Sequence, residues 1–147
     1  MSEARVFVVE DNPDNLELFV LLLGKQYGVS GFDSATDALQ AAKAVRPDLL
    51  MLDVGMRPID GLQCLKAIRA LPGCSSIPAI AVTAFARDVE RNAFLAAGFQ
   101  AVVTKPVLDL QELTNVVETV LNAPSATQRS TPSGRDETDS SIMSTAS

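Results

Sequence analysis

Pro47-Asp48-Leu49-Leu50-Met51-Leu52-Asp53-Val54-Gly55-Met56-Arg57-Pro58-Ile59-Asp60-Gly61 is the stretch from which the fold can be read. The apolar run Leu49 to Leu52 has no polar face, so Asp48 to Asp53 reads as a strand buried between two layers, as in a parallel sheet covered by helices. The run stops at a carboxylate, Asp53, and a loop with Gly55, Pro58 and Asp60-Gly61 follows. Such a strand delivers Asp53 to its C-terminal end, where open α/β sheets place their ligands.

The same alternation extends in both directions. Upstream, Val6 to Glu10 is a first buried strand, and Asp11-Asn12-Pro13 opens a helix with Asn12 as N-cap and Pro13 at its first position. Leu16, Phe19, Val20 and Leu23 form the core-facing stripe of that helix, which ends between Gly24 and Gly28. Val29 to Phe32 reads as a short second strand, and Ser34 caps an alanine-rich second helix over Ala35 to Val45. Downstream, Gly61 to Leu71 is a third helix with Leu62, Leu65 and Ile68 inward, ended by Pro72-Gly73. Ala79 to Thr83 is a fourth strand, and Arg87 to Ala97 a fourth helix closed by Gly98. Ala101 to Thr104 is the fifth strand, leading into Lys105-Pro106. The last helix opens with Asp109 and Glu112 in capping-box spacing and carries Leu110, Leu113, Val117 and Val120 through Asn122.

Five strand–helix units in strict alternation require a doubly wound parallel sheet with helices on both faces, a three-layer α/β/α domain. Right-handed crossovers leave few strand orders, and the flavodoxin-like order 2-1-3-4-5 suits five strands. From Ala123 the chain turns rich in Ser, Thr and Pro with almost no core residues, so residues 123–147 are expected to be a disordered tail behind a domain over 1–122.

Composition narrows the function. The net charge is −6 and the basic residues are scattered, which argues against a nucleic-acid or anionic-membrane footprint. No apolar run approaches the roughly 18 residues of a membrane span. Met1-Ser2-Glu3-Ala4-Arg5 leads straight into a strand with no secretory signal, so a cytoplasmic location is expected. The chain has no His, which excludes His-activated nucleophiles, His-ligated metals and a phosphohistidine on this chain. Cys64 and Cys74, ten residues apart, do not make a zinc site, and Cys64 sits in a helical core pattern. Chemistry has to run on carboxylates, hydroxyls and lysine.

Four strand ends carry such groups: Glu10-Asp11, Asp53, Thr83 and Lys105. In the order 2-1-3-4-5 the first and third strands are neighbours, so the acidic pair faces Asp53 across the switch point. Their mutual repulsion calls for protonation or a cation, and oxygen-only ligands suit Mg²⁺ (or Mn²⁺). A nucleophilic carboxylate, a divalent cation, an ammonium and a hydroxyl are the parts needed to move a phosphoryl group onto Asp53.

At these residues the chain resembles a CheY-like receiver domain of a two-component response regulator, here as a single-domain regulator. Val6 to Asn12 resembles the opening acidic motif of that family. Asp53 with Met56, Asp60 and Gly61 resembles its phosphoacceptor segment, and Val82-Thr83-Ala84, Ala97-Gly98 and Lys105-Pro106 match the rest in order. The resemblance covers residues 4–122. It implies that Asp53 accepts a phosphoryl group from a phosphohistidine of a sensor histidine kinase or histidine phosphotransfer protein. It further implies that Asp11, Asp53 and the Gly55 carbonyl hold Mg²⁺ directly, with Glu10 acting largely through water. Thr83 and Lys105 would contact phosphoryl oxygens, and the Lys105–Pro106 bond would be cis. The output would pass to a downstream protein through the surface of helix four, strand five and helix five, with a homodimer also allowed. The domain would be no general enzyme, catalysing only its own phosphorylation and dephosphorylation.

Two departures from the family pattern stand out. Arg57 intervenes between Met56 and Pro58, either as a partner-specific charge or as a solvated loop residue. Val102 stands where the family has Tyr or Phe, so switching is expected to use Phe85 and Val102 repacking together. A phosphorylation-independent interaction module and a carboxylate phosphohydrolase are the competing readings. The intact acidic, Thr and Lys positions disfavour the former. The absence of a second carboxylate two residues after Asp53 disfavours the latter.

Overall fold

The computed structural model describes residues 4–55, 60–84, 87–105 and 109–122. It contains β1 (Arg5–Val9), α1 (Pro13–Leu23), β2 (Gly28–Phe32), α2 (Ala35–Ala44), β3 (Leu49–Asp53), α3 (Gly61–Arg69), β4 (Ala79–Thr83), α4 (Asp88–Ala97), β5 (Ala101–Thr104) and α5 (Leu110–Asn122). All neighbouring strands are parallel, in the order β2-β1-β3-β4-β5. The expected alternation and strand order are therefore present. Element ends differ from the sequence expectation by one or two residues: Glu10 and Asp48 flank their strands, α2 stops before Val45 and α3 before Leu71.

Side chains alternate along each strand, so the two faces of the sheet build separate cores. Phe7, Val9, Leu50, Leu52, Ala79 and Ala81 meet α2 and α3 through Ala35, Ala38, Ala42, Cys64, Leu65 and Ile68. Val6, Val8, Leu49, Met51, Ile80 and Val82 meet α1 and α5 through Phe19, Leu23, Leu113, Val117 and Val120. Because β3 is wholly buried, both faces of its apolar run are used. Leu16 and Val20 of α1 lie over Gly31 of β2, where a Cβ would come within 2.9 Å of Val20. Leu110 departs from the expected α5 stripe: it starts the helix and is 38% exposed, while the stripe proper runs from Leu113.

Local chemistry sets the helix starts. Asn12 Oδ1 accepts from the amides of Asp14 and Asn15, and Ser34 Oγ from that of Asp37. Asp60 and Gln63 form a reciprocal capping box at α3, and Asp109 Oδ1 accepts from the amides of Gln111 and Glu112. Gly98 ends α4 with φ at 118°, a left-handed conformation that disfavours a side chain. Cys64 and Cys74 are buried and free, and burial pushes the Cys64 thiol up to about 11. Among the described residues, no helix is long and apolar enough to cross a membrane.

At the N-terminal pole of the sheet, Arg69 at the end of α3 is half-buried, and among the described residues it has no carboxylate partner. Its guanidinium donates to the Ile77 carbonyl from Nε and Nη2 (3.1 and 2.8 Å), to the Gly98 carbonyl (3.0 Å) and to Gln100 Oε1 (3.2 Å). Gln100 Oε1 also accepts from the Ala79 amide, so one side chain ties α3 to the approaches of β4 and β5. Burial pulls the Arg69 pKa below its usual value.

Arg69→Met keeps the stem but strands these acceptors, and is expected to cost about 2 kcal/mol of unfolding free energy. Gly61→Ala would place a Cβ 2.8 Å from the Asp53 carbonyl oxygen and 2.9 Å from Val54 Cα. Backbone cannot rotate away as a side chain can, so a loss of about 1–3 kcal/mol is expected. Urea denaturation with unchanged slope checks both.

Candidate functional site

The carboxylates reach one another because the sheet ladder continues past the strands' ends. The Glu10 amide donates to the Phe32 carbonyl (3.0 Å), the Val54 amide to the Val82 carbonyl (3.0 Å) and the Lys105 amide to the Thr83 carbonyl (2.8 Å). These bonds carry the sheet's geometry into the loops and align Glu10, Asp53, Thr83 and Lys105 along its C-terminal edge. Glu10, Asp53 and Thr83 are buried, Lys105 is half-buried and Asp11 is exposed.

Lys105 Nζ lies 3.3 Å from Glu10 Oε1 and 3.2 Å from Asp53 Oδ2. Burial works against the ammonium, but the charges of Asp53 and Glu10 outweigh it and hold the Lys105 pKa above its ordinary value. Glu10 moves the other way. Burial, then the hydrogen bond with the Asp53 carboxyl, pushes it from 4.5 up to about 7. The Asn12 amide donates to Glu10 Oε2, and the Gly55 amide to Asp53 Oδ1 at 2.9 Å, which orients the Asp53 carboxylate.

Carboxylate oxygens of Glu10, Asp11 and Asp53 lie within 4.8 Å of one another. Three hard oxygen donors at this spacing fit a hard divalent cation such as Mg²⁺. No sulfur or imidazole lies among them to favour a softer metal.

Above these groups opens a cavity of about 660 Å³, lined by the site residues with Asn12, Asn15, Gly55, Ala84, Arg87, Glu90 and Phe94. The expected Glu10, Asp11, Asp53, Gly55, Thr83 and Lys105 are all on its wall. Val102 is not. It is 8% exposed in the core under α4, and its carbonyl accepts from Arg91 Nη1 at 3.4 Å. Phe85, the loop with Met56, Arg57 and Pro58, and the Lys105–Pro106 bond with Pro106 lie outside the described residues, as does the tail over 123–147.

Sequence reading missed the α4 side of the cavity. Arg87 occupies the N-cap position of α4 without a side-chain cap bond, and pairs with Glu90 at 2.5 Å. The i, i+3 spacing of opposite charges was the available signal. Phe94 lines the cavity and meets Phe99 edge-on with centroids 6.3 Å apart, placing an aromatic ring beside the site that β5 lacks at Val102.

A model of the response regulator receiver domain matches residues 6–118. An uncharacterized 14.6 kDa protein of Leptolyngbya boryana is 36% identical over 119 residues, covering 80% of this chain and 90% of that protein. The polar-differentiation response regulator DivK of Brucella anthropi is 33% identical over 103 residues, 69% of this chain and 84% of DivK. Among solved structures, the receiver domain of the sensor histidine kinase PA1611 from Pseudomonas aeruginosa superposes with a TM-score of 0.73 at 27% identity, covering 84% of this chain and all of that one. That structure holds a magnesium ion in its active-site cleft. Sequence motifs, strand order and these matches agree, and the chain belongs to the response regulator receiver domain family of two-component signalling.

Proposed function

We propose that this domain is a phosphoacceptor switch in which Asp53 takes a phosphoryl group from a phosphohistidine on a sensor histidine kinase or histidine phosphotransfer protein. The observation that carries the reading is the Asp53 carboxylate, held by the Gly55 amide and Lys105, at the floor of an open cavity beside a second acidic pair. In the transfer, a carboxylate oxygen of Asp53 forms the new bond to phosphorus. The phosphorus–nitrogen bond of the donor breaks, and imidazole leaves with the electron pair.

Each residue has a part in that step. Lys105 is poised to neutralise a phosphoryl oxygen, and the Thr83 hydroxyl to donate to another. Asp11, Asp53 and the Gly55 carbonyl would hold Mg²⁺ (or Mn²⁺), with Glu10 acting through water. The bound cation would supply Lewis-acid charge neutralisation at the transferring oxygens. The neighbouring PA1611 receiver domain, with magnesium in its cleft, supports this assignment. The domain then catalyses only its own phosphorylation and dephosphorylation.

The output surface proposed is α4, β5 and α5, where a downstream protein or a second copy would dock. No residue of α4 is fully buried, and Val89 and Leu95 are 79% and 42% exposed. Phe85 and Val102 are proposed to repack when Thr83 engages the phosphoryl group. We take residues 1–122 as the receiver unit and 123–147 as its tail. The 84% coverage of DivK supports a single-domain regulator, and we propose with it a cytoplasmic module that acts by protein contacts, without nucleic acid or membrane.

Incubation with Mg²⁺ and a small phosphodonor should give an acid-stable, base-labile phosphate that does not form in the presence of a chelator and is absent from Asp53→Asn. An unaltered chain that takes up no such phosphate overturns the reading in favour of a phosphorylation-independent module. Asp11→Ala removes an exposed carboxylate and should weaken Mg²⁺ binding at least about tenfold, measured by NMR titration, with the urea midpoint unchanged.

A further inference from the structure

We infer that Arg87 is the donor-recruiting cation of this site and that Glu90 holds it in reserve, an assignment that rests on the phosphoacceptor reading above. The cavity carries four carboxylates among its described lining residues, Glu10, Asp11, Asp53 and Glu90, against two cations, Lys105 and Arg87. Lys105 is engaged at the floor by Glu10 and Asp53. A phosphodonor is an anion, and it has to enter this acidic cleft on a chain whose net charge is −6. Arg87 is the cation at its mouth, with a side chain 84% exposed.

The position is unusual for an arginine. A helix N-cap ordinarily holds Ser, Thr, Asp or Asn, whose oxygen satisfies first-turn amides. Here the N-cap side chain makes no such bond. Its guanidinium instead grips Glu90 at N3 through Nε and Nη2 with both carboxylate oxygens. An exposed ion pair of this kind is weak, so an incoming phosphoryl dianion can compete for the guanidinium. Arginine also offers the planar fork that suits a phosphoryl group. Glu90 and Arg87 thus form a screened pair when the cleft is empty, and an anion-binding arm when a donor arrives. Arg87 positions the donor and takes no part in bond making.

The test uses the full chain with saturating Mg²⁺ and two probes, acetyl phosphate, a dianion, and phosphoramidate, which at neutral pH carries less net negative charge. In both, the bond from phosphorus to the leaving group breaks as the bond to Asp53 forms, releasing acetate or ammonia. Arg87→Gln should lower the second-order rate constant with acetyl phosphate by about three- to fivefold at low salt, and Arg87→Lys should keep most of it. Glu90→Gln, which frees the guanidinium, should raise it by a similar factor. Phosphoramidate should respond less, and at about 0.5 M salt the differences should shrink toward unity. Equal effects on both donors, or effects that persist at high salt, would mean a structural perturbation and overturn the inference. So would an unchanged rate in Arg87→Gln while the unaltered chain is phosphorylated. If the unaltered chain takes no phosphoryl group at all, the phosphoacceptor reading itself has failed.

Discussion

Two buried carboxylates, Glu10 and Asp53, stand close together at one end of a parallel sheet, and the ammonium of Lys105 lies between them. Carboxylates withdrawn from water at this spacing cannot all stay charged unless positive charge is supplied. Lys105 supplies part of it, and burial, followed by the hydrogen bond with the Asp53 carboxyl, still pushes Glu10 up to about 7. Three carboxylates gathered around one ammonium make a cluster whose chemistry fits a divalent cation. A cation held there would also offset the charge of an arriving phosphoryl group.

That arrangement depends on ladder bonds that outlast the strands. Glu10, Val54 and Lys105 each donate to a neighbouring strand after their own strand has ended, so the reactive groups are held with the precision of a sheet rather than of a loop. At the opposite pole, Arg69 binds the approaches of β4 and β5 to α3 through carbonyl oxygens alone. The sheet is therefore tied at both ends. By contrast, α4 buries none of its residues fully and leans on the domain through Phe94 and Arg91. A rigid floor beside a lightly held helix is the physical setting in which a change of charge at Asp53 can alter a surface.

Much of this was legible along the chain because short-range rules govern it. Asn12, Ser34, Asp109 and Gly98 cap helices by contacts within three or four residues, and the buried runs at Val6 and Leu49 announce a parallel sheet without knowledge of their neighbours. The capping box of Asp60 with Gln63 obeys the same rule, though Asp60 also belongs to the Asp53-to-Gly61 segment, whose pattern masks its role as a cap. Leu110 fits the apolar period of α5, yet as the first residue of the helix it is exposed, while Leu113 three residues on is buried in the core. Periodicity describes a helix face and cannot say where the opposing layer stops.

The sequence alone determined the five strand–helix units, their order in the sheet and the residue types gathered at its C-terminal edge, since hydrophobic period, capping and crossover handedness are local or nearly universal constraints. Only the tertiary structure decided how those residues share charge: that Lys105 sits between Glu10 and Asp53 rather than against one of them, that Glu10 bears the cost of burial, and that Arg87 faces the cavity while bound to Glu90. Desolvation and Coulomb energy depend on distances between groups up to 95 residues apart in the chain, and those distances exist only once the sheet has closed.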